Sequence, residues 1–225
     1  MGLKTSALRS WIPLALLLGF AIPARLQAQF GVGVRASTLG IGAEVSYRPS
    51  DRFGVRGGFN YFQLTKDSDV QGIAYEVTPH LENGTAILDF FPLGGSFHLS
   101  AGLLFNHNEG RLVARLTEDV TIGNHTYTPS EVGSLTGIVD FKKTAPYAGI
   151  GFSGQGRVSF LFDLGVGFTG TPRANLTGTT NLTGQAKAQF DADVLSEQTQ
   201  LRADIADKSY LKYHPVLSLG LRIGI

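Results

Sequence analysis

The 225-residue sequence has no cysteine, which excludes disulfides, thiolate metal sites and cysteine nucleophiles. Charge is scarce too: only 16% of residues are Asp, Glu, Lys or Arg, thin cover for a soluble surface. Basic and acidic residues nearly balance, at 19 against 18, and there is no basic run, so no nucleic-acid partner is expected. After residue 28 no apolar run approaches the roughly 20 residues of a membrane-crossing helix. There is no phosphate-binding loop, Cys/His cluster or nucleophile elbow, so neither a cofactor nor a metal is implied. Glycine, by contrast, is plentiful, with 29 residues.

Residues 1–28 read as a secretory signal. Lys4 and Arg9 precede an apolar run from Trp11 to Ile22, and Leu26-Gln27-Ala28 ends on a small residue suited to cleavage. The mature chain, 29–225, then carries 16 basic and 18 acidic residues, a net −2. It is expected to form one domain.

That domain is written in two-residue alternation, the period of a strand. Its clearest example is the end of the chain, where Leu217, Leu219, Leu221, Ile223 and Ile225 alternate with Ser218, Gly220, Arg222 and Gly224. Phe30 to Ala36 alternates in one phase and Ile41 to Tyr47 in the other. Thr38-Leu39-Gly40 between them is read as a tight turn in preference to a bulge. Further alternating stretches run from Phe53 to Tyr61, Phe97 to Phe105, Ala148 to Phe152 and Val158 to Phe168, with Leu104 and Leu161 as exceptions. A less clean strand is read from about Ile73 to Phe91, with Ala86, Leu88 and Phe90 on one face. The Phe97 strand is read as running on, polar on both faces, to about Leu116. Short turns near residues 50, 93 and 155 alternate with longer loops near 67, 125 and 190. Thr117 to Ser134 is read as a loop with a hairpin turning at Gly123-Asn124. Phe190, Val194, Leu201 and Ile205 stand near helical spacing, predicting a short amphipathic helix from about 190 to 207.

These features predict an all-β fold: an eight-stranded antiparallel up-and-down transmembrane barrel with long outer loops and a helix in the last one. The alternative is a soluble lipocalin-type barrel with the aliphatic columns inside. Columns of Phe and Leu from every strand would overfill an eight-stranded interior, and the outer face would be mostly glycine and small residues. The apolar face is therefore assigned to lipid. The ionisable residues on the other face are Arg35, Glu44, Arg56, Asp89, Asp163 and Arg222, with His98 as a possible addition. Three cations and three anions in a narrow lumen predict an internal ion-pair network, since an unpaired buried charge is costly. Tyr47, Tyr61, Tyr147 and Tyr213 are read as interfacial girdle residues.

The pattern resembles the small eight-stranded bacterial outer-membrane proteins of the outer-membrane protein A, X and W-like kind. The resemblance is sharpest at the C-terminus, where the assembly signal of such proteins is matched by Ser218, Gly220, Ile223 and Ile225. Those proteins usually end in an aromatic residue, and Ile225 departs from that. Ala145 to Pro172 also looks like a widespread group of proteobacterial-type barrels with no agreed activity. The resemblance implies the outer membrane of a Gram-negative bacterium, outer-membrane lipid as surroundings, the barrel-assembly machinery as a partner during biogenesis, and a monomer. The resemblance supplies location more than mechanism; the role expected of the chain is structural or surface interaction, with an unknown extracellular ligand on the loops. A narrow porin-like channel for ions or small solutes is the alternative. Catalysis is not expected: some outer-membrane barrels modify lipid through His and Ser at the rim, and here only His107 is loosely placed for that, between Asn106 and Asn108.

Overall fold

The computed structural model describes residues 29–70 and 73–225, so the signal assigned to 1–28 lies outside the described residues. Fourteen strands and one long helix follow in chain order: β1 (Phe30–Ser37), β2 (Gly40–Tyr47), β3 (Phe53–Gln63), β4 (Lys66–Val70), β5 (Ile73–Phe90), β6 (Phe97–Asn106), β7 (Glu109–Leu116), β8 (Val120–Ile122), β9 (His125–Tyr127), β10 (Val132–Asp140), β11 (Thr144–Ser153), β12 (Val158–Gly167), β13 (Arg173–Thr180), α1 (Gly184–Asp207), a 3-10 turn (Ser209–Lys212) and β14 (His214–Gly224).

Eight of the strands close a barrel. Its circuit is β1, β2, β3, the second half of β5, β6, β11, β12 and β14, all antiparallel. The first and last strands complete it, with Gly31 opposite Gly224 and Ser37 opposite Ser218. Closure removes the unpaired strand edges that lipid cannot satisfy. The phase flip after Ala36 is a two-residue turn: Ser37 pairs with Gly40 across Thr38-Leu39. Gly40 takes φ 116°, which a side chain rarely adopts, and the Ser37 hydroxyl donates to its carbonyl at 3.0 Å.

The alternation sorts as a lipid-facing barrel requires. Ile41 and Phe160 are 68% and 80% exposed on the outside, while Glu44, Arg56, Asp89 and Asp163 are buried in the lumen. A soluble barrel would have the reverse arrangement. Leu104 and Leu161, the two breaks in alternation, are both buried lumen residues.

Beyond the strand continuations read from about Ile73 and to about Leu116, the long loops contain further structure. β4, the first half of β5, β7, β10 and β13 pair in that order into an extension of the same sheet that continues the barrel strands past the rim. Five wall strands rise into it, whereas β14, β1 and β2 end at the rim. Leu116, Val132, Leu135 and Leu176 from this extension, Ile122 and Tyr127 from the β8–β9 hairpin, and Phe190 and Val194 from α1 share one apolar core. The helix is 24 residues long, longer than expected, and only Phe190, Asp193 and Val194 are buried on it. Its polar first turn, Gln185 to Lys187, gave no apolar spacing to read. Side chains of α1 also cover the open edge of β13: Arg202 donates to the Ala174 carbonyl at 2.7 Å, and Leu176 N–H donates to Gln198 at 2.8 Å. We refer to the sheet extension, hairpin and helix together as the platform.

Candidate functional site

The lumen is filled in layers. At the turn end, Arg48 gathers the short turns by donating to the carbonyls of Asp51 (2.6 Å) and Gly94 (3.0 Å), and its guanidinium lies 3.7 Å over the Phe91 ring. Phe91 in turn contacts the His98 ring at 5.2 Å.

Beyond Phe91 lies an ionic layer that brings five of the six predicted charges together. Arg56, from the middle of β3, is its hub. It donates to Asp89 and Asp163 at 3.0 Å each, to Ser100 at 3.2 Å and to Glu44 at 3.4 Å. Arg35 bridges Glu44 at 2.8 Å and Asp163 at 2.5 Å, and donates a third bond to Ser218 at 3.3 Å. His98 Nε2 stands 3.0 Å from Asp163, and the Ser100 hydroxyl donates to Asp89 at 2.6 Å. Two guanidiniums thus serve three carboxylates from β2, β5 and β12, with an imidazole on one of them. Such charge-assisted bonds are strong in a low-dielectric lumen but offset a large desolvation cost.

Glycine makes room for this layer. A Cβ on Gly151 would sit 2.5 Å from His98 Nε2 and 2.6 Å from an Asp163 oxygen. One on Gly220 would sit 2.9 Å from Arg35 Cγ. Ser218 and Gly220, the polar residue and glycine of the C-terminal motif, therefore have a local use: one bonds Arg35 and the other clears its path. Ile223 and Ile225 of the same motif are exposed on the outer side.

Arg222 does not join the network. It reaches the Gly154 carbonyl at 3.0 Å and Ser159 at 3.3 Å, nearer the turn end. The alternation placed it on the right face at the wrong depth. Tyr147 is corrected as well: it is not a girdle residue but points into the lumen, 4% exposed. With Leu39, Leu104, Ala145 and Val216 it forms an apolar layer on the loop side of the charges. Leu39, at the tip of the β1–β2 turn, folds into the lumen to complete it. Between the ionic and apolar layers is a cavity of about 30 Å³, room for about two waters. A second, on the turn side of the charges, is about 10 Å³.

The platform has its own polar junction, which the sequence reading missed. Asp193, 6% exposed, accepts from Tyr127 at 2.6 Å, and His125 Nδ1 stands 2.8 Å from it. One turn further along α1, Glu197 accepts from Gly123 N–H at 3.0 Å. The available signal was the spacing of Gln189, Asp193 and Glu197, one helical turn apart beside Val194. Hydrogen bonds from Tyr127 and His125 hold the Asp193 carboxyl below its ordinary range. Burial, reinforced by Asp193, pushes the Tyr127 hydroxyl up to about 12. The lowered carboxylate stabilises docking above its unfolded value of about 4 and loses this as pH falls further. The raised phenol stabilises docking below about 10, and the contribution is lost as pH rises through about 12. Helix docking is therefore expected to hold from about pH 4 to 10 and weaken outside it. Hydrogen exchange of the α1 amides checks this, and Asp193→Asn should flatten the acid limb.

His107 is exposed, and among the described residues its ring meets no carboxylate or hydroxyl partner. His125 is oriented by Asp193, but among the described residues no hydroxyl bonds its other nitrogen.

A closed eight-stranded antiparallel barrel, apolar outside and ionic within, has the fold of the small bacterial outer-membrane barrels. Neither a protein-family model nor a curated protein matches the sequence. Among solved structures the chain is similar to CarO of Acinetobacter baumannii, at 19% identity over 87% of this chain and 97% of that one, with a TM-score of 0.55. It is similar to CarO2 of the same organism, at 17% identity over 86% and 97%, with the same TM-score. A major outer membrane protein from Thermus thermophilus aligns at 14% identity over 86% and 98%, with a TM-score of 0.38, too low to add to the argument. These likenesses bear on the fold.

Proposed function

We propose that this chain is an integral outer-membrane protein in which a sealed barrel serves as an anchor and holds the platform outside the cell for surface interaction. The observation that carries this reading is the occluded lumen. An ionic layer and an apolar layer lie in series, and the cavity between them is only about 30 Å³. A conducting path would have to break both. The platform supports the reading from the other side, since about a hundred residues are invested beyond the membrane-spanning segments.

Planar-bilayer recording of the refolded mature protein tests it. Silence is expected from protein whose folding is verified by its shifted gel mobility before boiling. Reproducible conducting steps that change on Asp163→Asn would sink the anchor reading and establish the narrow channel instead.

A further inference from the structure

The outer rim carries a cationic collar that neither the lumen nor the platform core uses. Three segments meet there: 140–144 between β10 and β11, 168–173 between β12 and β13, and 207–214 leading into β14. They hold Lys142, Lys143, Arg173, Lys208 and Lys212 against two acids, Asp140 and Asp207. Gly170 joins the three. Its N–H donates to the Lys212 carbonyl at 3.0 Å, and the Lys142 side chain lies over it, with Cε 3.0 Å from where a Cβ would stand.

Elsewhere some outer cations are paired, while Lys66 and Arg111 on the platform have no ion pair among the described residues. Lys187 bridges Asp191 at 2.6 Å, Arg115 faces Glu76 at 3.9 Å and Arg202 bonds Asn175 at 2.7 Å. Among the described residues none of the five collar cations has an ion pair or a side-chain hydrogen bond. Arg173 and Asp140 even oppose each other in register without bridging.

Their depth is marked by aromatics. Phe168 ends the lipid-facing column of β12 and packs edge-on against Tyr213 at 5.8 Å, and Tyr210 is 68% exposed beside them. Aromatic rings of this kind sit at headgroup level, so the unpaired cations stand where lipid headgroups begin.

We propose that this collar binds the phosphate-bearing headgroup of an outer-leaflet glycolipid, with Lys142 and Lys212 at its centre. Five unpaired cations against two acids, held together at the end of an apolar belt, complement a clustered anion tethered to an acyl anchor. The proposal rests on the reading that the long-loop end faces outward.

The test uses the refolded mature protein and phosphatidylcholine vesicles containing diphosphoryl lipid A or its dephosphorylated form. The phosphorylated form should bind more tightly, and Lys142→Gln with Lys212→Gln should weaken it by about 25-fold, roughly fivefold per cation. Lys187→Gln on the helix should change nothing. Equal affinity for the two lipids, unchanged affinity in a double variant of normal folded gel mobility, or full displacement by equimolar inorganic phosphate would each overturn the proposal. Whole-cell labelling of an Asn124→Cys variant tests the outward orientation separately, so its failure and that of the headgroup site are distinguishable.

Discussion

Arg56→Ala is expected to lower the unfolding free energy of the barrel by about 3–5 kcal/mol, the usual cost of leaving a buried ionic partner uncompensated. Three carboxylates depend on this one guanidinium, and alanine leaves only Arg35, whose bonds reach Glu44 and Asp163 but not Asp89. Denaturant unfolding in detergent micelles, followed by the loss of folded gel mobility, measures the change. Adding Asp89→Asn should restore part of the loss, because the two sites share one network and their effects do not add. Arg222→Ala, whose partners are Gly154 and Ser159 near the turns, should cost less. If Arg56→Ala unfolds no more readily than Arg222→Ala, the ionic layer does not hold the barrel wall together.

Phe190→Ala should have an effect of similar size on a different part of the molecule. The ring is fully buried between Gly178 and Tyr127, meeting the latter edge-on at 5.3 Å. Removing it leaves a cavity in a core of about ten side chains, and substitutions of this type cost about 3–5 kcal/mol. The core belongs to the platform alone, so the helix is expected to become sensitive to protease while the barrel keeps its folded mobility. A matching fall in barrel stability would mean that the platform and wall unfold as one unit.

The barrel was legible because lipid and lumen impose opposite demands on alternate residues, and the sequence from Phe97 to Phe105 or Val158 to Phe168 records both. Parity reveals the face of a residue but not its depth. That is why parity groups Arg222 with Arg35, Glu44, Arg56, Asp89 and Asp163, although those five meet in one network and Arg222 sits at the turns. Tyr147 differs: the parity of its neighbours puts it on the lumen face, where it is buried, against the general preference of tyrosine for interfaces. Of the platform strands, the first half of β5 and β7 could be read as continuations of the wall, but β10 and β13 left little trace. Thr136, Thr177 and Thr179 stand opposite a face broken by Gly137 and Gly178, so neither side reads as continuously apolar. Their pairing partners lie far away in sequence, and the helix that covers them begins in a polar stretch.

The ladder running unbroken from wall to platform has a consequence for biogenesis. Strand β5 runs through both wall and platform, and a slip of one residue in its pairing would turn every side chain to the opposite face. A misaligned wall would therefore misplace the platform strands too, and the seat of Phe190 would be lost. The exposed platform in this way reports on the alignment of strands already hidden in the membrane. Only a correctly threaded wall would display a compact, protease-resistant crown.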